Sequence, residues 1–225
     1  MLENVIATHP RPLRLKRRKL PTVWLLASLL AFTAFGLWHV LRTHITNLGS
    51  AQLMNEHGVY SAWNSGEVIM LIRHAERCDR SNHACLGDPA GITVDGNQAA
   101  AAVGVGIRHL HLANADILSS PEVRTQQTAS AVFGKAIETQ DWLARCDGTF
   151  TNAALAHKRE GHNLVLVTHS GCIDHLEQQL GVTGGERVAG YASALFVSKD
   201  SNGKAHLLGQ LNANQWQTLN SSTGK

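Results

Sequence analysis

Three short strand-like runs, each followed at once by polar residues, constrain the fold of this chain more than any other feature. The runs lie at 68–72, 116–119 and 164–167, and the first and third are apolar along their whole length. That pattern is typical of strands buried on both faces of a parallel sheet. Helix-compatible stretches alternate with the runs, and a fourth strand is predicted at 191–197. The pattern predicts an α/β fold, a three-layer αβα sandwich with a mostly parallel sheet.

Residues with special backbone roles mark where the helices between the runs begin. After the first run, Thr93 or Asp95 can cap a helix that continues through an alanine-rich stretch. After the second run, Pro121 suits the first turn of another helix. After the third run, Gly171 or Cys172 opens a helix. The chain therefore alternates strands and helices as the sandwich requires.

Positive charge is concentrated near the N-terminus of a chain whose formal net charge is +3. Without the six basic residues at 11–19 the remaining chain is slightly acidic, so composition gives no reason to expect nucleic-acid binding. The stretch from Thr22 to Leu41 follows directly and contains no Asp, Glu, Lys or Arg. As a helix it would span about 30 Å, the thickness of a bilayer core. These features predict one transmembrane helix, a signal anchor at 22–41.

The basic cluster predicts the topology of the chain around this segment. It holds 1–21 in the cytoplasm and sends the remainder across the membrane, which predicts a single-pass membrane protein. A signal peptide cleaved near 34–36 is the alternative, and it would release the remainder into the same exported compartment. Both interpretations export the rest of the chain, with 42–66 as a juxtamembrane stalk and 67–225 as the globular domain.

Four cysteines fit an exported protein, because an oxidising compartment favours disulfides. None belongs to a C-x-x-C pair, so the spacing of a zinc ribbon is absent, and we expect neither a metal nor another cofactor. Two disulfides allow three connectivities, one of which joins Cys78 to Cys85 and Cys146 to Cys172. Four buried thiols are the alternative.

Charged residues and histidines follow the strands at the edge where the carboxyl ends of parallel strands meet. Arg73 and His74 end the first strand, with Arg77 shortly after. Arg124 opens the helix after the second strand, and His169 follows the third. Guanidinium forks match phosphoryl oxygens, and helix N-termini add N–H donors. The sequence therefore predicts an anion site, and phosphate is the expected anion.

Four motifs in this order resemble those of the histidine phosphatase superfamily, the phosphoglycerate-mutase-like family. They are R-H-x-E-R at 73–77, I-T-x-x-G-x-Q-A at 92–99, S-S-P-x-x-R-x-x-Q-T-A at 119–129, and V-L-V-T-H at 165–169. The resemblance covers 67–198 and implies the fold of that family. The loop RHAERCDRS and the four cysteine positions are also similar to those of exported lipopolysaccharide core heptose-phosphate phosphatases.

The resemblance implies a role for each residue at the predicted edge. His74 would be the nucleophile, and it must be neutral to attack, which the adjacent arginines favour. Its other ring nitrogen needs a fixed acceptor, expected to be a backbone carbonyl. The remaining residues would bind the phosphoryl oxygens and stabilise the transition state, with Ser170 beside them at the helix start. This binding set comprises Arg73, Arg77, Arg124, His169 and Ser170.

A carboxylic acid that protonates the leaving group is also expected by the resemblance. Asp147 is the first choice, because the Asp-Gly after Cys146 is typical of an exposed turn. Glu138, Asp141 and Glu76 are other candidates, and a turn aspartate without a catalytic role is the competing interpretation.

The resemblance implies phosphomonoester hydrolysis through a phosphohistidine, without a metal, on a phosphorylated heptose of the lipopolysaccharide core. With the predicted signal anchor, it also implies a single-pass inner-membrane protein of a Gram-negative bacterium whose catalytic domain is periplasmic. The first alternative is a phosphatase for another phosphoester or for phosphohistidine. The second is a membrane-anchored protein that binds phosphorylated glycans without turnover.

Overall fold

The computed structural model describes residues 22–40, 42–217 and 219, and the chain divides into two compact units, Met1–Leu41 and Arg42–Lys225. Helix α1 (Thr22–Val40) belongs to the first unit. Within these described ranges, no helix is long and apolar enough to cross a membrane. The predicted transmembrane span at 22–41 is therefore not confirmed, although the segment is helical. The basic cluster at 11–19 lies outside the described residues.

The second unit is built on a sheet of five strands with helices between them. The strands are β1 (Val68–Arg73), β2 (Ala115–Ser119), β3 (Asn163–Thr168), β4 (Ala194–Lys199) and β5 (Ala205–Leu211). The helices are α2 (Ala51–Glu56), α3 (Val59–Asn64), α4 (Val94–Arg108), α5 (Val123–Phe133), α6 (Phe150–His157) and α7 (Ser170–Gln179). Short 3-10 turns lie at Cys78–Arg80, Leu112–Asn114, Asp141–Ala144 and Ala213–Gln215.

The sheet is mixed, with the strand order β2-β3-β1-β4-β5. Strand β3 pairs in parallel with β1 and β2, as predicted, but β4 is antiparallel to both β1 and β5. The prediction of a mostly parallel sheet is thus correct only for the first three strands. The loop after α7 returns the chain to the carboxyl end of β1, where the carbonyl of Ser193 accepts from the backbone N–H of Arg73 at 3.0 Å, so β4 begins at that edge and runs antiparallel to β1.

Alternate residues of β1 face two separate cores, which places helices on both sides of the sheet. Met70 and Ile72 pack with residues of α2, α3, α4 and α5. Ile69 and Leu71 pack with residues of α6 and α7. All four side chains are fully buried, and each such burial stabilises the fold by about 2 kcal/mol. The predicted three layers are present, with the middle strand of the sheet between the two cores.

The beginnings of the helices agree closely with the predictions. Thr93 caps α4, because its Oγ1 accepts a hydrogen bond of 2.9 Å from the backbone N–H of Gly96. Helix α5 begins at Val123, so Pro121 precedes the helix instead of forming its first turn. Helix α7 begins at Ser170, whereas Gly171 or Cys172 was predicted, so it starts one or two residues earlier.

The segment 42–66, predicted to be a stalk outside the globular domain, is instead part of the globular unit. Leu48, Met54, Val59 and Trp63 are buried in the core between the sheet and α4 and α5. The prediction of a domain that starts at 67 is therefore wrong. The physical reason is that α2 and α3 supply apolar side chains to one face of the sheet.

Met54→Ala is expected to lower the free energy of unfolding by about 2–5 kcal/mol, because it leaves a cavity in this core. Urea titration followed by circular dichroism would measure the change. Gln52→Ala, an exposed position of the same helix, is the control and should change the stability little. Equal stability of the two variants would mean that the segment contributes nothing to the folded domain.

Candidate active site

Three strand ends bring the predicted site residues together at one edge of the sheet. His74 follows β1, Ser120 follows β2, and His169 follows β3. The ring centroids of His74 and His169 lie 5.5 Å apart. Arg124, in the first turn of α5, reaches His169 with an Nη2–Nδ1 distance of 3.3 Å. The parallel arrangement of β2, β3 and β1 thus converts three distant motifs into one site.

His74 is held in a single tautomer. Its side chain is buried, and Nδ1 lies 2.8 Å from the carbonyl oxygen of Ala75. A carbonyl can only accept, so Nδ1 carries the proton and Nε2 keeps its lone pair. The backbone N–H of His74 also donates to the carbonyl of Thr168 at 2.9 Å, which fixes the residue to β3. The acceptor predicted for the second ring nitrogen is present.

Burial keeps the His74 ring neutral. The pKa of His74 falls from 6.5 to about 3, and removal from water is the largest cause. The hydrogen bond to Ala75 raises this pKa, while the neighbouring His169, Arg73 and Arg124 lower it. The sequence interpretation attributed neutrality to the adjacent arginines, and the structure assigns most of it to burial instead.

His169 occupies the opposite tautomer. Its Nδ1 accepts from Arg124, because a guanidinium can only donate, so Nε2 carries the proton. That proton points to Oγ of buried Ser120, 2.9 Å away. Burial first, and then the charge of Arg124, lower the pKa of His169 to about 4. Both histidines are therefore neutral in the folded protein at neutral pH.

Two guanidiniums present unsatisfied donors beside these rings. Arg73 donates from Nη1 to the carbonyl of Ala189 at 2.6 Å, and its guanidinium lies 4.0 Å from the ring centre of Tyr191. The Nε atoms of Arg73 and Arg124 are buried and have no hydrogen-bond partner among the described residues. Buried N–H groups seldom remain unpaired, so they favour a bound anion.

Arg77 lies nearby but is already engaged. Its Nε donates to Oδ1 of Asp79 at 2.7 Å, and its Nη2 pairs with the second oxygen of the same carboxylate. The charge of Arg77 is still close enough to lower the pKa values of Arg73 and His169. Arg77 thus contributes positive potential to the site, while its donors are shared with Asp79.

Asp147, the predicted acid, lies in a different environment. It is exposed, and its Oδ1 accepts from Thr149 through the backbone N–H at 2.9 Å and the hydroxyl at 2.6 Å. These bonds lower the pKa of Asp147, so its carboxylate is ionised at neutral pH and has no proton to donate. The structure argues against the prediction, because the Asp-Gly turn organises the start of α6 instead.

Glu76 is also committed to a structural network. Its carboxylate accepts from Thr93 Oγ1 at 2.8 Å, from His83 at 2.9 Å and from Ser81 at 3.1 Å. These hydrogen bonds lower the pKa of Glu76. Glu76 therefore fastens the loop after β1 to the cap of α4 and is not a proton donor.

Thr128 and Tyr191 belong to the site but were not among the predicted site residues, and Ser120 was expected at this edge of the sheet without a functional role. Thr128 accepts from the backbone N–H of Ala75 at 2.9 Å and donates to the carbonyl of Arg124 at 2.7 Å, which joins the β1 loop to α5. Ser120 and Thr128 stand in the S-S-P…Q-T-A motif, which could have indicated them. No pattern in the sequence marks Tyr191.

Two disulfides fix the loops around the site, with the connectivity Cys78–Cys85 and Cys146–Cys172. Their Cα–Cα distances are 5.2 Å and 4.1 Å. The second bond anchors the start of α7, where Ser170 is the first helical residue and half-buried. In the part of the chain that the structure describes, no group of three His, Cys, Asp or Glu side chains is placed to hold a metal ion.

The free energy of unfolding is expected to fall as the pH decreases from about 6.5 toward 4. The folded-state pKa values of His74 and His169, about 3 and about 4, lie below the ordinary 6.5, so the unfolded chain binds protons that the folded chain does not. At pH 5 each ring should cost about 2 kcal/mol. Urea titrations at pH 7 and pH 5 would measure the loss.

The double variant His74→Gln with His169→Gln is the comparison for this prediction. The buried carboxyl of Glu177, whose pKa is raised to about 7, acts in the opposite direction and is present in both proteins. The difference between wild type and variant therefore isolates the two imidazoles. The same loss of stability in both proteins would contradict the prediction.

Comparison with known proteins gives consistent relatives. No family model matches the chain. The lipopolysaccharide core heptose(II)-phosphate phosphatases of Salmonella newport (strain SL254) and Salmonella typhi are each 34% identical over 146 residues, which cover 64% of this chain and 71% of theirs. The solved structure of the protein histidine phosphatase SixA complexed with tungstate has a TM-score of 0.54 at 18% identity, over 65% of this chain and 97% of SixA. That likeness shows a shared fold.

Proposed function

The chain belongs to the histidine phosphatase family that includes the lipopolysaccharide core heptose(II)-phosphate phosphatases, and we propose that it removes a phosphate from a phosphorylated heptose of the lipopolysaccharide core. It is a phosphoric monoester hydrolase, as its relatives are. The proposed part is the substrate, the phosphohistidine intermediate and the place where the enzyme acts.

The state of His74 carries this proposal. A nucleophilic imidazole needs a free lone pair, and His74 has it on Nε2 because Nδ1 is bonded to the carbonyl of Ala75. The ring stays neutral at physiological pH because its pKa is about 3. It lies beside unsatisfied guanidinium donors that would hold a phosphate.

In the proposed first step, Nε2 of His74 attacks the phosphorus atom and the ester P–O bond breaks. The ring then becomes cationic, and the hydrogen bond from Nδ1 to Ala75 stabilises that charge. Arg73 and Arg124 stabilise the charge on the equatorial oxygens. His169 orients the guanidinium of Arg124 by accepting from it at Nδ1, while its Nε2–H is directed to Ser120. Arg77 adds positive potential while it remains paired with Asp79.

In the second step, water attacks the phosphorus atom and the P–N bond breaks, which returns His74 to its neutral form and releases inorganic phosphate.

The leaving oxygen of the first step also needs a proton. Neither Asp147 nor Glu76 carries one, because the pKa values of both are lowered. A substrate phosphoester bound as its monoanion carries a proton that can transfer to the leaving oxygen as the P–O bond breaks, since the second pKa of a phosphomonoester is about 6.

Two observations support a periplasmic location and a lipopolysaccharide substrate. All four cysteines are paired in disulfides, which persist in an oxidising compartment. The relatives at 34% identity are named for a substrate of the cell envelope. We therefore propose that the domain acts in the periplasm, where it would reduce the negative charge of the lipopolysaccharide.

The test is the release of inorganic phosphate by the purified full-length chain from three substrates. They are a lipopolysaccharide core oligosaccharide with heptose phosphate, an aryl phosphate, and a peptide that contains phosphohistidine. EDTA is present throughout. We expect the oligosaccharide to have the highest kcat/KM, and a phosphoryl label on the protein that is lost in acid and absent from His74→Asn.

Each alternative gives a different result in the same assay. Turnover of the aryl phosphate alone would indicate another phosphoester, and preference for the peptide would indicate a phosphohistidine phosphatase. Phosphate binding without turnover of any substrate would indicate a glycan-binding protein. Any of these results would overturn the proposed substrate.

A further inference from the structure

A cavity of about 380 Å³ lies beside the phosphate site, between α7 and the loop at 187–189. Its wall begins at Ser170, the residue after His169. The opposite wall includes Ala189, whose carbonyl accepts from Arg73 at 2.6 Å. The cavity is therefore lined by the residue that follows His169 and by the residue whose carbonyl holds Arg73, and it is large enough for a small ligand.

The cavity contains charged groups that the reaction does not use. Asp174 and Glu177 lie four and seven residues after Ser170, on the same face of α7. Helical side chains lean toward the N-terminus, which brings both carboxyl groups back toward the phosphate site. From the facing loop, Arg187 donates from Nη1 to Oδ2 of Asp174 at 2.9 Å.

Glu177 is the unusual member of this group. Its side chain is 0% exposed, and neither carboxyl oxygen has a hydrogen-bond partner among the described residues. An unpaired buried carboxyl costs stability, so it needs a reason to be there. Burial and the charge of Asp174 raise the pKa of Glu177 to about 7, against the opposing charge of Arg187. At neutral pH this carboxyl can both donate and accept.

We propose that this cavity is the subsite for the sugar of the substrate, with Glu177, Asp174 and Arg187 bonded to hydroxyl groups of a polyhydroxylated ring. Adjacent hydroxyl groups can donate to a carboxyl oxygen and accept from a guanidinium N–H, so they suit a cavity with a carboxyl group on one wall and a guanidinium on the other. The cation in the wall disfavours a metal ion in the same space. A sugar whose phosphate lies between Arg73 and Arg124 would extend from Ser170 along α7 into the cavity. The inference rests on the proposed function and names the residues that select its substrate.

The test compares the preference for sugar phosphate over aryl phosphate, as a ratio of kcat/KM values, in the full-length wild type and in Glu177→Leu. The phosphate contacts are common to both substrates, so the ratio isolates the sugar. We expect the ratio to fall at least tenfold in the variant, mainly through a higher KM for heptose phosphate. Gln178→Leu, at an exposed position of the same helix, is the matched control and should keep the ratio of the wild type.

The melting temperature distinguishes a loss of sugar contacts from a loss of folding. Glu177→Leu removes an unpaired buried carboxyl, so its Tm should be equal to or higher than that of the wild type. Two further variants, Asp174→Asn and Arg187→Gln, should also lower the ratio of kcat/KM values while the proteins remain folded. A variant set that keeps the full preference of the wild type would overturn the subsite and leave the proposed substrate standing. A wild type with no preference for the sugar phosphate would overturn both.

Discussion

His74→Ala is expected to lower kcat by at least about 10⁴-fold, because loss of a nucleophile removes the covalent route. The remaining guanidinium donors of Arg73 and Arg124 should still bind the product. Stopped assays of phosphate release would give kcat, and calorimetric titration with inorganic phosphate would give Kd. We expect Kd to change less than tenfold, since the guanidiniums carry the binding. His109→Ala, at an exposed position, is the control and should keep full activity.

His74→Asn separates the loss of the nucleophile from the loss of packing. The amide fills part of the buried space and can donate to the carbonyl of Ala75, but it cannot form a stable phosphoryl intermediate. It should be as inactive as the alanine variant. Turnover within tenfold of the wild type in both variants would show that water attacks the substrate directly, and the phosphohistidine mechanism would be wrong.

Arg124→Ala is expected to lower kcat/KM by about 10²–10³-fold, which corresponds to about 2.7–4 kcal/mol of transition-state stabilisation. Two effects add here. The variant loses a buried Nε donor without another partner, and it also removes the donor that fixes Nδ1 of His169 as an acceptor. His169 can then change tautomer and lose its bond to Ser120. Arg108→Ala, exposed at the end of α4, is the matched control.

Arg124→Lys tests whether charge alone is sufficient. A lysine keeps the positive charge but cannot present a planar fork to two oxygens. We expect kcat/KM to fall more than twofold relative to the wild type, but less than it falls in Arg124→Ala. A lysine variant with the kinetics of the wild type would mean that the geometry of the guanidinium is unimportant.

The sequence predicts the central part of the fold because the parallel strands are unbroken apolar runs. Strands β1 and β3 are buried on both faces, so their patterns need no knowledge of neighbours. Strand β5 was missed because only two of its seven residues, Gly209 and Leu211, are buried and a bulge interrupts its pairing with β4. The antiparallel end of the sheet is therefore the part that the pattern could not predict.

The segment 42–66 was misassigned for a related reason. Helices α2 and α3 have six residues each, and Gly58, with φ of +70°, separates them. Neither helix is long enough to show an amphipathic period, and neither would be stable alone. Their apolar residues are buried only by packing against the sheet, and the local sequence pattern contains no information about that contact.

At the site, the sequence predicts which residues meet but not the environment that sets their chemistry. Strand ends place His74, His169 and Arg124 at one edge, and that inference needs only the order of the motifs. The pKa of His74 depends mainly on burial, which is a property of the folded chain. The pKa of Asp147 is also set by the folded chain, in this case through hydrogen bonds from Thr149. Composition around a residue is a weak guide to either.

The two disulfides join cysteines in their order along the chain, the first with the second and the third with the fourth. If the domain is exported to the periplasm as proposed, its cysteines cross the membrane in sequence order, and each bond could form as soon as its second cysteine appears, before a wrong partner is available. A simple dithiol oxidant would then be sufficient, and no isomerase would be needed to correct the pairing. Expression of the active protein should therefore depend on an oxidase but tolerate the loss of a disulfide isomerase.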